Sequence, residues 1–366
     1  MRVLHVVKKL PPLVGGDATA VSALARSQRA LGLDVQLATY NTDAQFDPEV
    51  KRVGPLLRRT DLDRIAWRRF RGMTALRKWA LDYLAADRVD VVHAHAVDLA
   101  YAIAPAARKN RVRTVLTCHG VWFPQLPRWS PRGRIEWLLL RRTRADAVTS
   151  VDTASVAALR KLGLTRARLI PNGVDPDEFP EPPPRDGPVR FLFAGRHERQ
   201  KGLDILLRGV AEARDLGAVG FVVDVVGEGT LTERLRSQAR DLGIEGLVRF
   251  PGVLSRPDLC EVFVSSDVFV LPSRAEGLPI AILEAWAAHL AVIATRVGGV
   301  VDLCSEQNAL LIPPEDPGAL AQAILGMLRD PSWRGTLADN GRRLVRERFT
   351  WDAIAKSYVD VYGETR

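Results

Sequence analysis

The chain has 366 residues, 47% of them hydrophobic, more than one ordinary core covers, so two domains are expected. No run of ~18 uncharged apolar residues spans a bilayer, the start MRVLHVVKKLPPLVGG lacks a signal-peptide cleavage site, and Cys118, Cys260 and Cys304 have no CxxC spacing, which argues against a disulfide scaffold or zinc site and for a reducing cytoplasm. The net charge of +9 is uneven: 30 basic and 17 acidic residues precede position 181, and 22 and 26 follow, so the first half attracts phosphates of nucleic acid, anionic lipid or nucleotide.

From the N-terminus, short β-branched runs alternate with helical patterns. Arg2–Val7 reads as the first strand, and the loop Pro11–Asp17, with the pair Gly15-Gly16, leads into a helix over Ala18–Leu31. That loop resembles a phosphate-cradling turn without being GxGxxG or a Walker loop. Strands follow at Val35–Tyr40, Val89–Ala94, Arg113–Cys118, Ala147–Ser150 and Arg168–Ile170, with a helix over Thr153–Leu162. His93 and His95 share a face near Asp98, but the sequence offers no third ligand, so no metal is expected. His119 ends a strand, where it could donate to a substrate hydroxyl or carbonyl. Arginines interleave with aromatics over Leu56–Leu84 (Arg64, Trp67, Arg77, Trp79) and Trp122–Arg144 (Trp129, Arg134, Trp137, Arg141), a pattern suited to an anionic membrane surface or nucleic acid, or to a solvated helix face with core tryptophans.

Asp175–Pro188 carries six prolines and no apolar periodicity, and reads as a linker. The alternation then restarts, with strands at Val189–Ala194, Phe221–Val226, Val248–Phe250, Val268–Leu271 and Ala291–Ala294. Helices are expected over Leu203–Leu216, Leu231–Leu242, Ile280–His289 and Pro317–Leu328, with a final amphipathic helix after Thr350. The expected architecture is α/β: two doubly wound, Rossmann-like domains (1–175 and 189–348) facing across a groove. Ligands in such sheets bind beyond the carboxyl ends of the strands.

Three loops carry candidate chemistry in the second half. Gly195 permits a tight turn, and Arg196 and Lys201 could bind a diphosphate and neutralise charge as it develops. Gly227-Glu-Gly229 repeats the glycine-turn pattern. In Glu276-Gly277-Leu278-Pro279-Ile280, Pro279 suits a first helical turn, and the helix start makes an anion site. Glu276 in the loop and Glu284, projecting from the helix, could accept hydrogen bonds from sugar or ribose hydroxyls.

Together, Gly15-Gly16, Thr117-Cys-His119-Gly120, Pro171-Asn-Gly-Val-Asp175, Gly195-Arg196…Lys201-Gly202, Gly227-Glu-Gly229, Glu276-Gly…Glu284, Val297-Gly-Gly299 and Phe349-Thr-Trp351 resemble the family-four retaining glycosyltransferases of the GT-B fold over nearly the whole chain. The resemblance implies transfer of a sugar from a nucleotide diphosphate sugar to an acceptor hydroxyl, with retention, no metal or other cofactor, and front-face attack. It implies that Arg196 and Lys201 hold the diphosphate, Glu276 and His119 touch the donor sugar, and Glu284 touches the ribose. Gly252-Val253 would lie near the base, Gly16 near the phosphate or acceptor, with Gly15 and Asp17 on the acceptor side. It also implies a last helix (349–366) that returns to the first domain. Departures stand at Ala288-His289-Leu290 and Asp302, which touch local loop shape, and at Asp17, which touches the acceptor side. Polysaccharide, glycolipid or natural-product biosynthesis is the implied setting, in the cytoplasm or at the membrane's inner face. A nicotinamide oxidoreductase would need a compact GxGxxG with an acidic residue ~20 positions on, and neither is present. A nucleotide-sugar epimerase on the same scaffold is the nearer rival. A nucleic-acid-binding protein leaves the second-half motifs unexplained, so no nucleic acid partner is expected.

Overall fold

The computed structural model describes residues 1–8, 16–39, 50–52, 66–121, 123–124, 126–127, 129–182 and 186–364. Gly15 and most of the basic stretch before Ala66 lie outside them. The chain divides into two units, one made of Met1–Gly173 and Trp351–Arg366, the other of Val174–Thr350.

In the first unit, strands β1 (Arg2–Val7), β2 (Asp34–Thr39), β3 (Val50–Arg52), β4 (Val91–Ala94), β5 (Arg113–Cys118), β6 (Ala147–Ser150) and β7 (Arg168–Leu169) form a sheet in the order 3-2-1-4-5-6-7. Every pairing in it is parallel. Parallel strands need crossover helices, which cover both faces, so strand residues are apolar on both sides; β4 and β5 are buried throughout. The second unit repeats this logic with β8 (Val189–Ala194), β9 (Phe221–Val226), β10 (Val248–Gly252), β11 (Val268–Leu271), β12 (Ala291–Thr295) and β13 (Leu310–Ile312), ordered 10-9-8-11-12-13 and again all parallel. Side-chain caps fix several helix starts: Asp152, Asp316 and Asp330 accept from the backbone N–H of Ser155, Ala319 and Trp333 at 2.7, 2.9 and 2.8 Å.

The final helix, Trp351–Gly363, packs on the helix Gly16–Ala30 within the first unit. Tyr358 and Tyr362 are buried in that unit, and the Tyr362 hydroxyl meets Gln28 Nε2 at 3.0 Å and His93 Nδ1 at 2.7 Å.

Four features differ from the sequence-based expectation. The proline-rich stretch does not behave as a free linker over its described part. Phe179 is buried edge-on to Phe263, with ring centroids 5.8 Å apart, and Glu178 pairs with Arg256, so the second unit begins at Val174. The three-residue strands β3 and β13 are too short to declare a periodicity. The helix Pro331–Arg348 is too polar to do so. The expectation that His93 and His95 lack a third partner is also overturned: β1 pairs with β4 so that His5 stands opposite His93, and His5, His93 and His95 bring ring nitrogens within 4.8 Å of one another. Asp98 is not part of this group; it pairs with Lys8 at 2.7 Å.

The three imidazoles are buried in an apolar sheet, and burial makes their protonation costly. It lowers the pKa of His5 to about 4 and those of His93 and His95 well below 6.5, with neighbouring imidazoles adding to the effect on the latter two. Unfolded imidazoles protonate near pH 6.5, so below that pH the unfolded chain binds more protons than the folded one. Stability present above about pH 6.5 is therefore lost as pH falls toward 4, by up to ~1.4 kcal/mol per pH unit for each histidine. The expected thermal midpoint is level from pH 8 to 7 and declines steeply from 6.5 to 4.5; a level midpoint through that lower window contradicts the buried, neutral trio.

Candidate functional site

Strand order in the second unit reverses at β8: the chain runs outward to β9 and β10, then returns to the other side for β11. Loops leaving β8 and β11 diverge at such a switch point and open a crevice at the carboxyl edge. After β8 come Gly195, Arg196 and a 3-10 turn over Arg199–Lys201; after β11 come Ser273, Glu276 and the helix Ile280–Ala287. The reversal thus brings together residues 75 positions apart. Lys201 Nζ lies 2.7 Å from Glu276 Oε1, and the Ser273 hydroxyl donates to the same oxygen at 2.5 Å. The Glu276 side chain is 7% exposed and that of Lys201 22%, so the pair is shielded on the carboxylate side and open on the ammonium side. An ammonium has three donors and Glu276 takes one, which leaves donors for an incoming anion.

The backbone holds this pair from both sides. Gly202 adopts φ +66°, and a Cβ there would stand 2.0 Å from the Pro272 carbonyl oxygen. Gly298 adopts φ +44°, and its Cβ would stand 2.0 Å from the Glu276 carbonyl oxygen, which also accepts from Gly299 N–H at 3.3 Å. Only glycine fits where two backbones approach so closely in a left-handed conformation. Gln200 Nε2 donates to the Ala275 carbonyl at 2.7 Å, and Arg274 N–H to the Gln200 carbonyl at 2.7 Å. Arg274 binds Asp204 with two nitrogens at 2.8 Å each and also holds Glu315. These contacts raise the pKa of Arg274, and its guanidinium lowers those of Asp204 and Glu315.

The glycine turns line up along the same edge. Gly195 N–H donates to the Val226 carbonyl at 3.1 Å, and Gly227 N–H to the Gly252 carbonyl at 2.8 Å, while Val253 beyond β10 is 58% exposed. Beneath them His197 is buried, its Nδ1 2.9 Å from Thr232 Oγ1, and burial lowers its pKa. Arg196, directly after Gly195, is largely exposed and pairs with Glu198 at 2.6 Å, not with Lys201 or Glu276.

Two placements change the sequence-based picture. Pro279 occupies the cap position just before the helix rather than its first turn; the N–H groups of Ile280 and Ala281 have no carbonyl of the helix one turn back, and Ile282 N–H donates to the Pro279 carbonyl at 3.2 Å. Glu284 does not project into solvent. It is buried, and Arg256 from the start of the helix Arg256–Val264 grips it together with Glu178. Burial opposes the charge on Arg256, but the two carboxylates outweigh that and raise its pKa.

Sequence reasoning missed Ser273, Gln200, Arg274 and Arg256. Only Ser273, three residues before Glu276 at a strand's end, carried a local signal. In the first unit, His119 follows β5 and is half-buried, with Nε2 3.2 Å from His95 Nδ1. Gly16 and Asp17 open the helix Gly16–Ala30, and the Asp17 side chain lies outside the described residues.

The backbone packing carries a prediction. Gly298→Ala forces a side chain onto the Glu276 carbonyl and should destabilise the protein by about 1–3 kcal/mol, read as a lower denaturant midpoint at unchanged m-value. A midpoint equal to wild type contradicts the close approach.

Residues 14–178 match the family described as Glycosyltransferase Family 4, and residues 188–330 the family described as Glycosyl transferases group 1. A glycogen synthase of Mycobacterium tuberculosis is 27% identical over 391 aligned residues, covering 99% of this chain and 94% of that protein. Among solved structures, the sucrose-phosphate synthase of Thermosynechococcus elongatus superposes with a TM-score of 0.83 at 24% identity, covering 99% of this chain and 98% of that one. Anabaena Alr3699/HepE, solved in complex with UDP-glucose, gives 0.78 at 20% identity, covering 99% of each chain. At these identities the structural likeness establishes the fold.

Proposed function

Because this chain belongs to the group 1, family 4 glycosyltransferases, we propose that it transfers a sugar from a nucleoside diphosphate sugar to an acceptor hydroxyl, with retention of anomeric configuration and no metal requirement. The observation that carries this reading is the cluster at the switch point of the second unit. There Lys201 meets clamped Glu276 just before the helix Ile280–Ala287, and Arg196 lies on the same loop as Lys201.

The chemistry follows from where charge appears. As the bond from the anomeric carbon to the phosphate oxygen breaks, its electron pair leaves with the nucleoside diphosphate, which gains negative charge. Lys201, Arg196 and the helix start supply positive potential at that point, the role a divalent ion plays elsewhere. The acceptor oxygen bonds to the anomeric carbon on the same face, and its proton passes to the departing phosphate oxygen, so no side chain serves as general base. Glu276, immobilised by Ser273 and Lys201, is assigned to the donor sugar's hydroxyls, and His119 to the donor sugar. Glu284 is assigned to the ribose, a role in which Arg256 shares its carboxylate with the ligand. Gly252 and Val253 are assigned to the base, Gly16 to the phosphate or acceptor, and Gly15 and Asp17 to the acceptor side.

Lys201→Ala is expected to lower kcat by ~10²–10³ in protein that remains folded by circular dichroism. Near wild-type turnover removes Lys201 from the mechanism. Proton NMR of fresh product should show the donor's anomeric configuration, and EDTA should leave the rate unchanged. Thermal shifts with UDP, GDP, ADP and dTDP identify the base, because a ligand that binds only the folded state raises the midpoint.

We further propose that the first unit docks on anionic membrane surfaces. No helix among the described residues is long and apolar enough to cross a membrane. Support for docking comes from Trp129, 75% exposed, and from exposed Ile135, Trp137 and Leu138 on the helix Pro131–Arg142, interleaved with arginines. Beside them a groove is lined by Arg77, Arg108, Arg141, Arg142 and Arg144. Aromatic bodies suit the headgroup region, and arginines suit its phosphates. Sedimentation with anionic vesicles, weakening as salt rises, is expected; equal partitioning to neutral vesicles defeats this part of the reading.

A further inference from the structure

The histidine group of the first unit forms a continuous hydrogen-bond chain. His119 Nε2 lies 3.2 Å from His95 Nδ1, and His95 Nε2 lies 2.8 Å from His5 Nδ1. His5 Nε2 lies 2.7 Å from Gln28 Oε1, and Gln28 Nε2 donates to the Tyr362 hydroxyl at 3.0 Å. That hydroxyl lies 2.7 Å from His93 Nδ1, and His93 Nε2 lies 2.6 Å from Thr117 Oγ1. Thr117 meets Thr149 Oγ1 at 2.7 Å, and Thr149 donates to the Leu116 carbonyl at 3.4 Å.

A carbonyl only accepts, so this terminus orients the chain, with Tyr358, whose hydroxyl lies 3.1 Å from Thr117 Oγ1, donating into it. Thr149 donates to Leu116, so it accepts from Thr117. Thr117 accepts from His93 Nε2–H, and His93 Nδ1 accepts from Tyr362. Tyr362 accepts from Gln28, whose Oε1 accepts from His5 Nε2–H. His5 Nδ1 then accepts from His95 Nε2–H, and His95 Nδ1 from His119 Nε2–H. Each link has the single proton it needs, and both nitrogens of His5, His93 and His95 are engaged. A metal would have to break these bonds, which is why the trio is better read as a relay than as a ligand set.

We propose that His95 is a positioning residue that holds His119 as its Nε2–H tautomer, through a chain anchored at the Leu116 carbonyl and passing through His5, Gln28 and Tyr362. The chain requires neutral rings, and burial keeps His5, His93 and His95 neutral at pH 7. One consequence reverses the sequence-based expectation that His119 donates to substrate. With its proton directed at His95, the neutral His119 carries an unprotonated Nδ1, so toward a sugar hydroxyl it acts as an acceptor and not as a donor. This consequence rests on the assignment of His119 to the donor sugar; the tautomer does not.

The test uses the full chain with 15N-labelled histidine, whose six imidazoles are resolved by long-range proton–nitrogen correlation. Wild type is expected to show His119 with a protonated Nε2 and an unprotonated Nδ1 at pH 8. His95→Asn, whose amide oxygen can stand where Nδ1 stood, should keep that pattern, whereas His95→Gln, which reaches toward His5 instead, should give averaged tautomers. Tyr362→Phe breaks the chain far from His95 and should also release the tautomer, which keeps the test usable if a His95 variant fails to fold. A protonated Nδ1 on His119 in wild type, or an unchanged His119 pattern in both His95→Gln and Tyr362→Phe, overturns the proposal. So does a joint shift of the His5, His93 and His95 signals on adding stoichiometric zinc. In kinetics, His95→Gln should lower kcat about tenfold, on the order of what a lost outer partner costs a site, with rescue by His95→Asn. A released tautomer with unchanged kcat and KM leaves the relay standing and removes His119 from the transfer reaction.

Discussion

A parallel sheet covered by helices on both faces leaves polar side chains almost nowhere to go except its ends. In the second unit this constraint collects cations, carboxylates and glycine turns along one carboxyl edge, and the reversal of strand order at β8 decides which of them meet. Lys201 and Glu276 form a pair because β8 and β11 are neighbours in space, although 75 residues separate them. The glycines follow from the same crowding, since loops leaving adjacent strands must pass each other at van der Waals distance.

The charges along this edge are organised as well as gathered. Arg196 has Glu198, Arg256 has Glu178 and Glu284, and Arg274 has Asp204 and Glu315. Cations crowded without partners would repel one another and shift the loops that carry them. Paired, they stay where an anion would need them. Lys201 is already oriented by Glu276, so an anion bound there would need no further side-chain ordering of that ammonium. Arg274 differs: its chelated geometry ties the loop after β11 to the helix Leu203–Asp215 and makes it a brace.

Much of this was legible in the chain. Buried parallel strands are written as short, mostly apolar runs, so Val189–Ala194 and Phe221–Val226 were readable to the residue. Lys201, Glu276 and the helix start near Ile280 were readable because each sits where a strand pattern stops. Interactions fixed by register across long separations were not. His5 precedes His93 by 88 positions, and only the pairing of β1 with β4 makes them neighbours. Glu284 shows the same limit: helical spacing fixes its direction from the axis, but Arg256 and Glu178 decide that it is buried.

The placement of the final helix governs how such a chain can be made. Gln28, His93 and Thr117 find hydroxyl partners on Tyr358 and Tyr362, and the ribosome delivers those tyrosines only after all of Val174–Thr350 has emerged. The unit begun first is therefore finished last. Until then its histidines lack those hydroxyl partners, while the contiguous second unit waits for nothing that lies beyond Thr350.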